Sequence, residues 1–132
     1  MSVAERGVGH ITQLSNREIA KVVAEETGLP LDKITVIKPQ GPDYGIWQIE
    51  SRGNNNDGSF SVCFLATPHR VVFGITEISS DTPEKLVGQL ENIALACGAN
   101  AISAASQLGR ESFWKKLRYQ DDGSHSFFVK EL

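Results

Sequence analysis

The chain is poor in the residues that usually announce a chemistry. Only two cysteines, Cys63 and Cys97, occur in 132 residues, and they form no Cys-x-x-Cys pair. His10, His69 and His125 are scattered, so no zinc site assembles from spacing, and no metal ligand set is expected. Two cysteines so placed, one mid-strand and one on an apolar helical stripe, read as buried free thiols rather than as a disulfide or a nucleophile. No apolar run approaches the ~18 residues needed to span a bilayer, and the N-terminal stretch has no signal-peptide core, so a cytoplasmic location with no membrane partner is expected. Excess charge is lacking too. A net charge of -3 gives no overall pull toward nucleic acid or an anionic membrane.

What remains is an ordinary globular composition, 40% hydrophobic and 22% charged, in a length that fits one domain over residues 1–132 with a loose start at 1–7. The clearest stretch runs from Val71 to Ala104. Val71 to Ile78 is apolar on both alternating faces until Glu77, as in a strand buried within a sheet. Thr82 followed by Pro83 predicts a helix start, with Thr82 as cap. Leu86, Leu90, Ile93 and Cys97 recur at helical spacing, and Gly98 closes the helix. Asn100 to Ala104 reads as the next strand.

Upstream, Gly9 to Leu14 alternates weakly, as an edge strand would. Ser15-Asn16-Arg17-Glu18 is a capping box that opens a helix running to Gly28. Leu29 to Lys33 fits one more helical turn, and Ile34 to Ile37 suits either a short strand or a helix end. Pro39 to Asp43 is a loop. Gly45 to Ser51 and Ser59 to Ala66 alternate as two strands around a polar turn ending in Asp57-Gly58. Downstream, the spacing predicts a helix from about Ser106 to Leu117, with Gly109, Phe113 and Leu117 on one face and Trp114 at its border. Gln120 to Ser124 is a turn, and Ser126 to Lys130 is a closing strand, whose Phe127 and Phe128 would suit an edge that pairs with a second copy in a homodimer.

The fold class is therefore mixed α+β or α/β: a twisted, mostly antiparallel sheet of six to seven strands, with one strand–helix–strand unit and flanking helices. In that order, the run Gly109-Arg110-Glu111-Ser112-Phe113-Trp114-Lys115-Lys116-Leu117-Arg118-Tyr119, ending in Phe128-Val129-Lys130-Glu131-Leu132, is similar to the C-terminal end of GNAT-superfamily acyltransferases. Ala94 to Gly98 resembles the end of that family's central helix, and His10 to Val23 its opening strand and helix. The resemblance implies a GNAT-like domain and, as cofactor, acetyl-CoA or another acyl-CoA. In the family, a loop of the form Gln/Arg-x-x-Gly-x-Gly/Ala wraps the pyrophosphate with backbone amides.

Here the corresponding stretch is Ser79-Ser80-Asp81-Thr82-Pro83-Glu84-Lys85. It lacks glycine, loses an amide donor at Pro83, and places Asp81 and Glu84 where an anion would sit. The tyrosine that many members use as an acid corresponds to Trp114, and Arg118 replaces a glycine. No cofactor is therefore expected, and the leading expectation is a GNAT-like domain that binds a protein partner or small ligand. An atypical N-acyltransferase is the alternative. There Glu77 would be the base, and Gly74, Ser79, Ser80, Thr82 and Lys85 would form the acyl-CoA site. Glu77 also suits a plain exposed strand end, and Ser79, Ser80 or Thr82 a simple helix cap. Gly74 suits either a strand-splaying bulge or room for Trp114 or Phe113, while Gly88 inside a helix implies close helix–sheet contact. A third reading is a small acidic chaperone or immunity-type partner protein. Arg110, Lys115, Lys116 and Arg118 form a basic cluster that reads as a solvated face rather than a nucleic-acid site.

Overall fold

A computed structural model describes residues 10–38, 45–52, 58–105, 108, 111–124 and 126–132. The readings made for 1–9, Pro39 to Asp43, the turn before Gly58, and Ser106, Gly109 and Arg110 lie outside the described residues.

Among the described residues, seven strands form one sheet: β1 (Ile34–Ile37), β2 (Gly45–Ser51), β3 (Ser59–Ala66), β4 (Val71–Ser79), β5 (Ala101–Ala105), β6 (Gln120–Asp121) and β7 (Phe127–Glu131). Their spatial order is β1-β2-β3-β4-β5-β7-β6. Among these strands only β4 and β5 pair in parallel, because the helix α2 (Pro83–Ala96) carries the chain back between them. The mixed, mostly antiparallel sheet with a strand–helix–strand unit matches the sequence expectation, and Ile34 to Ile37 resolves as a strand.

Period-two burial sorts the sheet into two faces. Trp47 and Ile49 on β2, Phe60, Val62 and Phe64 on β3, Phe73 and Ile75 on β4, and Ile102 and Ala104 on β5 are all buried in one cluster. That cluster also holds Ile19, Val22 and Val23 of α1 (Asn16–Thr27) and Leu86, Leu90 and Ile93 of α2. The two helices lie side by side, with Asn92 donating to Glu26 at 2.6 Å. The capping box at the start of α1 is present: Glu18 N–H donates to Ser15 Oγ at 3.1 Å, and Ser15 N–H donates to Glu18 Oε1 at 3.0 Å. Accepting the Ser15 amide bond, with the Ser15 hydroxyl also close, holds the Glu18 carboxyl below the usual carboxylate range.

Several expectations are corrected. Residues 11–13 form a 3-10 turn rather than an edge strand. Ile11 N–H bonds the Cys97 carbonyl at 2.8 Å, so Ile11 plugs the end of α2 and is fully buried. Thr82 occupies the cap position of α2 but makes no capping hydrogen bond; instead Ser80 Oγ accepts from Thr82 N–H at 3.0 Å. The last helix, α3, spans only Glu111–Lys116, and Trp114 is its buried residue rather than its border. Gly88 makes no close approach: a Cβ there would meet nothing within 4 Å. The closing strand β7 is not an edge, since Phe128 pairs with Ala104 on one side and with Asp121 on the other. The outer strands are β1 and β6, and on β1 the Val36 carbonyl is capped by the Asn16 carboxamide at 3.3 Å.

The three helix ends show one device used twice in the usual way and once at a cost. Gly28 and Gly98 end α1 and α2 with φ of 80° and 82°. After α2, Gly98 N–H bonds Leu95 O and Ala99 N–H bonds Ala94 O, the paired bonds of a Schellman end. After α3 the same pair recurs, from Arg118 N–H to Lys115 O and from Tyr119 N–H to Trp114 O, both 2.9 Å. Arg118 takes the left-handed conformation there, with φ 72°.

Candidate functional site

The face of the sheet turned away from α1 and α2 has no helix over it among the described residues, and the concave surface of interest lies there. Its position is set by an irregularity in β4. Ser61 pairs with Glu77, but the next residue, Val62, pairs with Ile75, leaving Thr76 as an extra residue. Strict alternation after Phe73 and Ile75 would turn Glu77 into the core. The bulge shifts the phase by one, so Ile78 packs toward the core and Glu77 points to the open face. Thr76 Oγ1 fixes the bulge by donating to the Ser61 carbonyl at 2.8 Å.

Two clefts flank Glu77 and share it with Ser61. One, of 340 Å³, also takes in Ser51, Ser59, Ser79 and Leu108. The other, of 400 Å³, reaches across β2 to Ile46, Gln48 and Glu50. Ser51 is buried, and its Oγ accepts from Phe60 N–H at 3.0 Å, tying the wall of the first cleft together. Cross-strand register puts Glu50, Ser61 and Glu77 in one row.

Of the site residues expected from the sequence, Glu77 and Ser79 reach these clefts, and Cys63 lines the second of them. Gly74, Ser80, Thr82 and Lys85 line neither of them. Gly74 does not open the sheet: it is paired with Cys63 on one side and Ser103 on the other, and β4 and β5 stay in register from Val72 to Ile75. Nor does it make room for an aromatic ring. A Cβ at Gly74 would stand 3.1 Å from Cys63 Sγ and 3.5 Å from Ser103 Oγ, so the glycine accommodates two small polar neighbours on the open face. Burial pushes the Cys63 thiol up and the Cys97 thiol up to about 12, which leaves both poor nucleophiles.

Gln48, Glu50 and Ser61 were not among the site residues expected from the sequence, which placed Gln48 and Glu50 only on the polar face of their strand. Their signal was present as the polar half of two alternating strands, but without the register nothing says which polar residues meet. The spacing Ile75 to Ile78, three where a strand calls for two, was the trace of the bulge.

At the far end of the sheet, Tyr119 is buried and donates from its hydroxyl to Glu91 at 2.8 Å. Lys130 pairs with the same carboxylate at 3.2 Å. Burial and the Glu91 charge push the Tyr119 phenol far up, so it is a fixed donor rather than an acid. Trp114 stacks edge-on at 5.1 Å from Tyr119 and is wholly buried.

Compared with known proteins, the chain matches no family model and no curated protein. Function therefore has to be argued from the site. Among the described residues no group of three or more His, Cys, Asp or Glu side chains is placed to hold a metal ion, and no helix is long and apolar enough to cross a membrane.

Proposed function

We propose that this chain is a GNAT-like domain that acts by binding a protein partner or small ligand, without ordinary acyl-CoA catalysis. The observation that carries the reading is the junction between β4 and α2. Three residues, Ser80, Asp81 and Thr82, join the elements. The Thr82 amide is already engaged by Ser80 Oγ, and Pro83 has no amide proton to offer. Asp81 and Glu84 add negative charge at the helix start, where they compete with a phosphate for the same positive potential. Trp114, at the position the resemblance gives to an acid, is buried and carries no usable acidity. The open face beside Glu77 is then the surface left for binding.

The atypical transferase has one observation in its favour, the bulge that delivers Glu77 into two clefts, since bulges often re-aim side chains at working sites. Titration calorimetry and thermal shift with acetyl-CoA separate the two. The binding reading expects no heat and no shift at millimolar acetyl-CoA. A ligand at 100 times its dissociation constant adds about 2.7 kcal/mol, or about 10 °C in a chain of this size. Micromolar acetyl-CoA binding with such a rise would overturn it.

A further inference from the structure

We infer that the open face across β1–β4 docks a basic, amphipathic segment of a partner protein. The inference deepens the binding reading above and rests on it. Strands β1–β5 contain no lysine or arginine at all, and their only charged residues are Glu50 and Glu77. Both are exposed, and they flank Ser61 in one cross-strand row. The nearest basic residues, Lys33 and Arg52, stand at the strand ends, and Glu50 and Glu77 make no ion pair among the described residues, so two like charges on one surface favour a cationic counterpart.

The other half of the face is apolar. Ile46 pairs directly with Leu65, and Ile37 stands on the neighbouring strand opposite Gln48. Ile37, Ile46 and Leu65 are 50%, 51% and 45% exposed, high for side chains of this kind grouped on one surface. The 400 Å³ cleft links the halves, with Ile46 at one end and Glu50 and Glu77 at the other. Ile37 and Leu65 lie outside its lining, so a small ligand filling the cleft would leave them wet, and a longer occupant covers them.

The layout also sets the occupant's pattern. Ile46 and Glu50 are four residues apart on β2, about 13 Å along an extended strand. A helix lying along the strand bridges that span when its apolar and its basic residues are separated by about two turns on one face, near 11 Å at 1.5 Å per residue. A second copy of this chain fits poorly, since a twofold contact through this face would bring the acidic rows of both copies into one interface. Nucleic acid is repelled by the same charges.

The test is selection of a random peptide display library on the wild-type protein, with E50Q/E77Q and L65S as comparison baits. Melting temperatures equal to wild type establish that these exposed substitutions leave the fold intact. The expected result is enrichment of peptides that combine lysine or arginine with apolar residues. Fluorescence anisotropy of those peptides should show about tenfold weaker binding to E50Q/E77Q, further loss with added salt, and weaker binding to L65S. Enrichment of acidic or uncharged peptides, equal binding to all three baits, or no enrichment would overturn the inference. So would a concentration-dependent dimer of the wild type that L65S abolishes, because the face would then belong to a second copy. The acyl-CoA titration is independent of this selection, so a failure of one is distinguishable from a failure of the other.

Discussion

Replacing Arg118 by glycine should make this protein more stable, although it removes a charged side chain at the end of a helix. Arg118 sits at φ 72°, and its amide and that of Tyr119 close the C-terminal end of α3 with two 2.9 Å bonds. The left-handed conformation costs an L-residue roughly 1–2 kcal/mol. Glycine escapes that cost but has more freedom to lose on folding, about 0.5–1 kcal/mol. The balance favours R118G by about 0.5–1 kcal/mol, or about 2–4 °C in melting temperature for this length. The Arg118 side chain is exposed and makes no ion pair among the described residues, so its removal offsets little of that gain. R118A is the control, since it deletes the same side chain and keeps the backbone cost. Urea denaturation should give the order glycine, then asparagine, then alanine near the parent, at constant m-value. If R118G is no more stable than R118A, the left-handed residue is not where the cost lies and the reasoning fails.

Two further changes test other parts of the fold. Gly88 lies within α2 with open space where its Cβ would be, so G88A should stabilise by about 1 kcal/mol; destabilisation in thermal melts would mean that the helix and its surroundings are closer than described. Y119F removes a hydrogen bond to the Glu91 carboxylate, still held by Lys130, and should cost about 1.5 kcal/mol in urea unfolding. Because the folded phenol titrates above its unfolded value, its contribution is fully present below about pH 10 and declines as pH rises beyond it, so the stability gap between Y119F and the parent should narrow in alkali. A gap unchanged at high pH would refute the assignment.

Much of the architecture was legible because local signals agreed with one another. The capping box at Ser15 and Glu18, the helical spacing of Leu86, Leu90 and Ile93, and the alternation in Gly45 to Ser51 each point to one element, and each is present. Residues 11–13 misled because their burial comes from a distant partner, the carbonyl of Cys97, which no local pattern reveals. The closing strand looked like an edge because the two-residue strand that covers it carries too few residues to show a period. The site was legible only at Glu77 and Ser79. Its other members are brought together by register between strands, and register is fixed by the burial of Phe60, Val62 and Phe64 against the helices rather than by the polar residues themselves.

The extra residue at Thr76 divides β4 into two stretches governed by opposite rules of substitution. Ahead of it, odd-numbered positions must be oily; behind it, an even-numbered one must be, and Glu77 stands clear of the core. Deleting Thr76 would close the bulge, letting Glu77 follow Ile75 opposite Ser61 and Val62 with every side chain still on its own face, so a single-codon loss there should do less harm than the same loss elsewhere along the strand, where it would turn the following residues over.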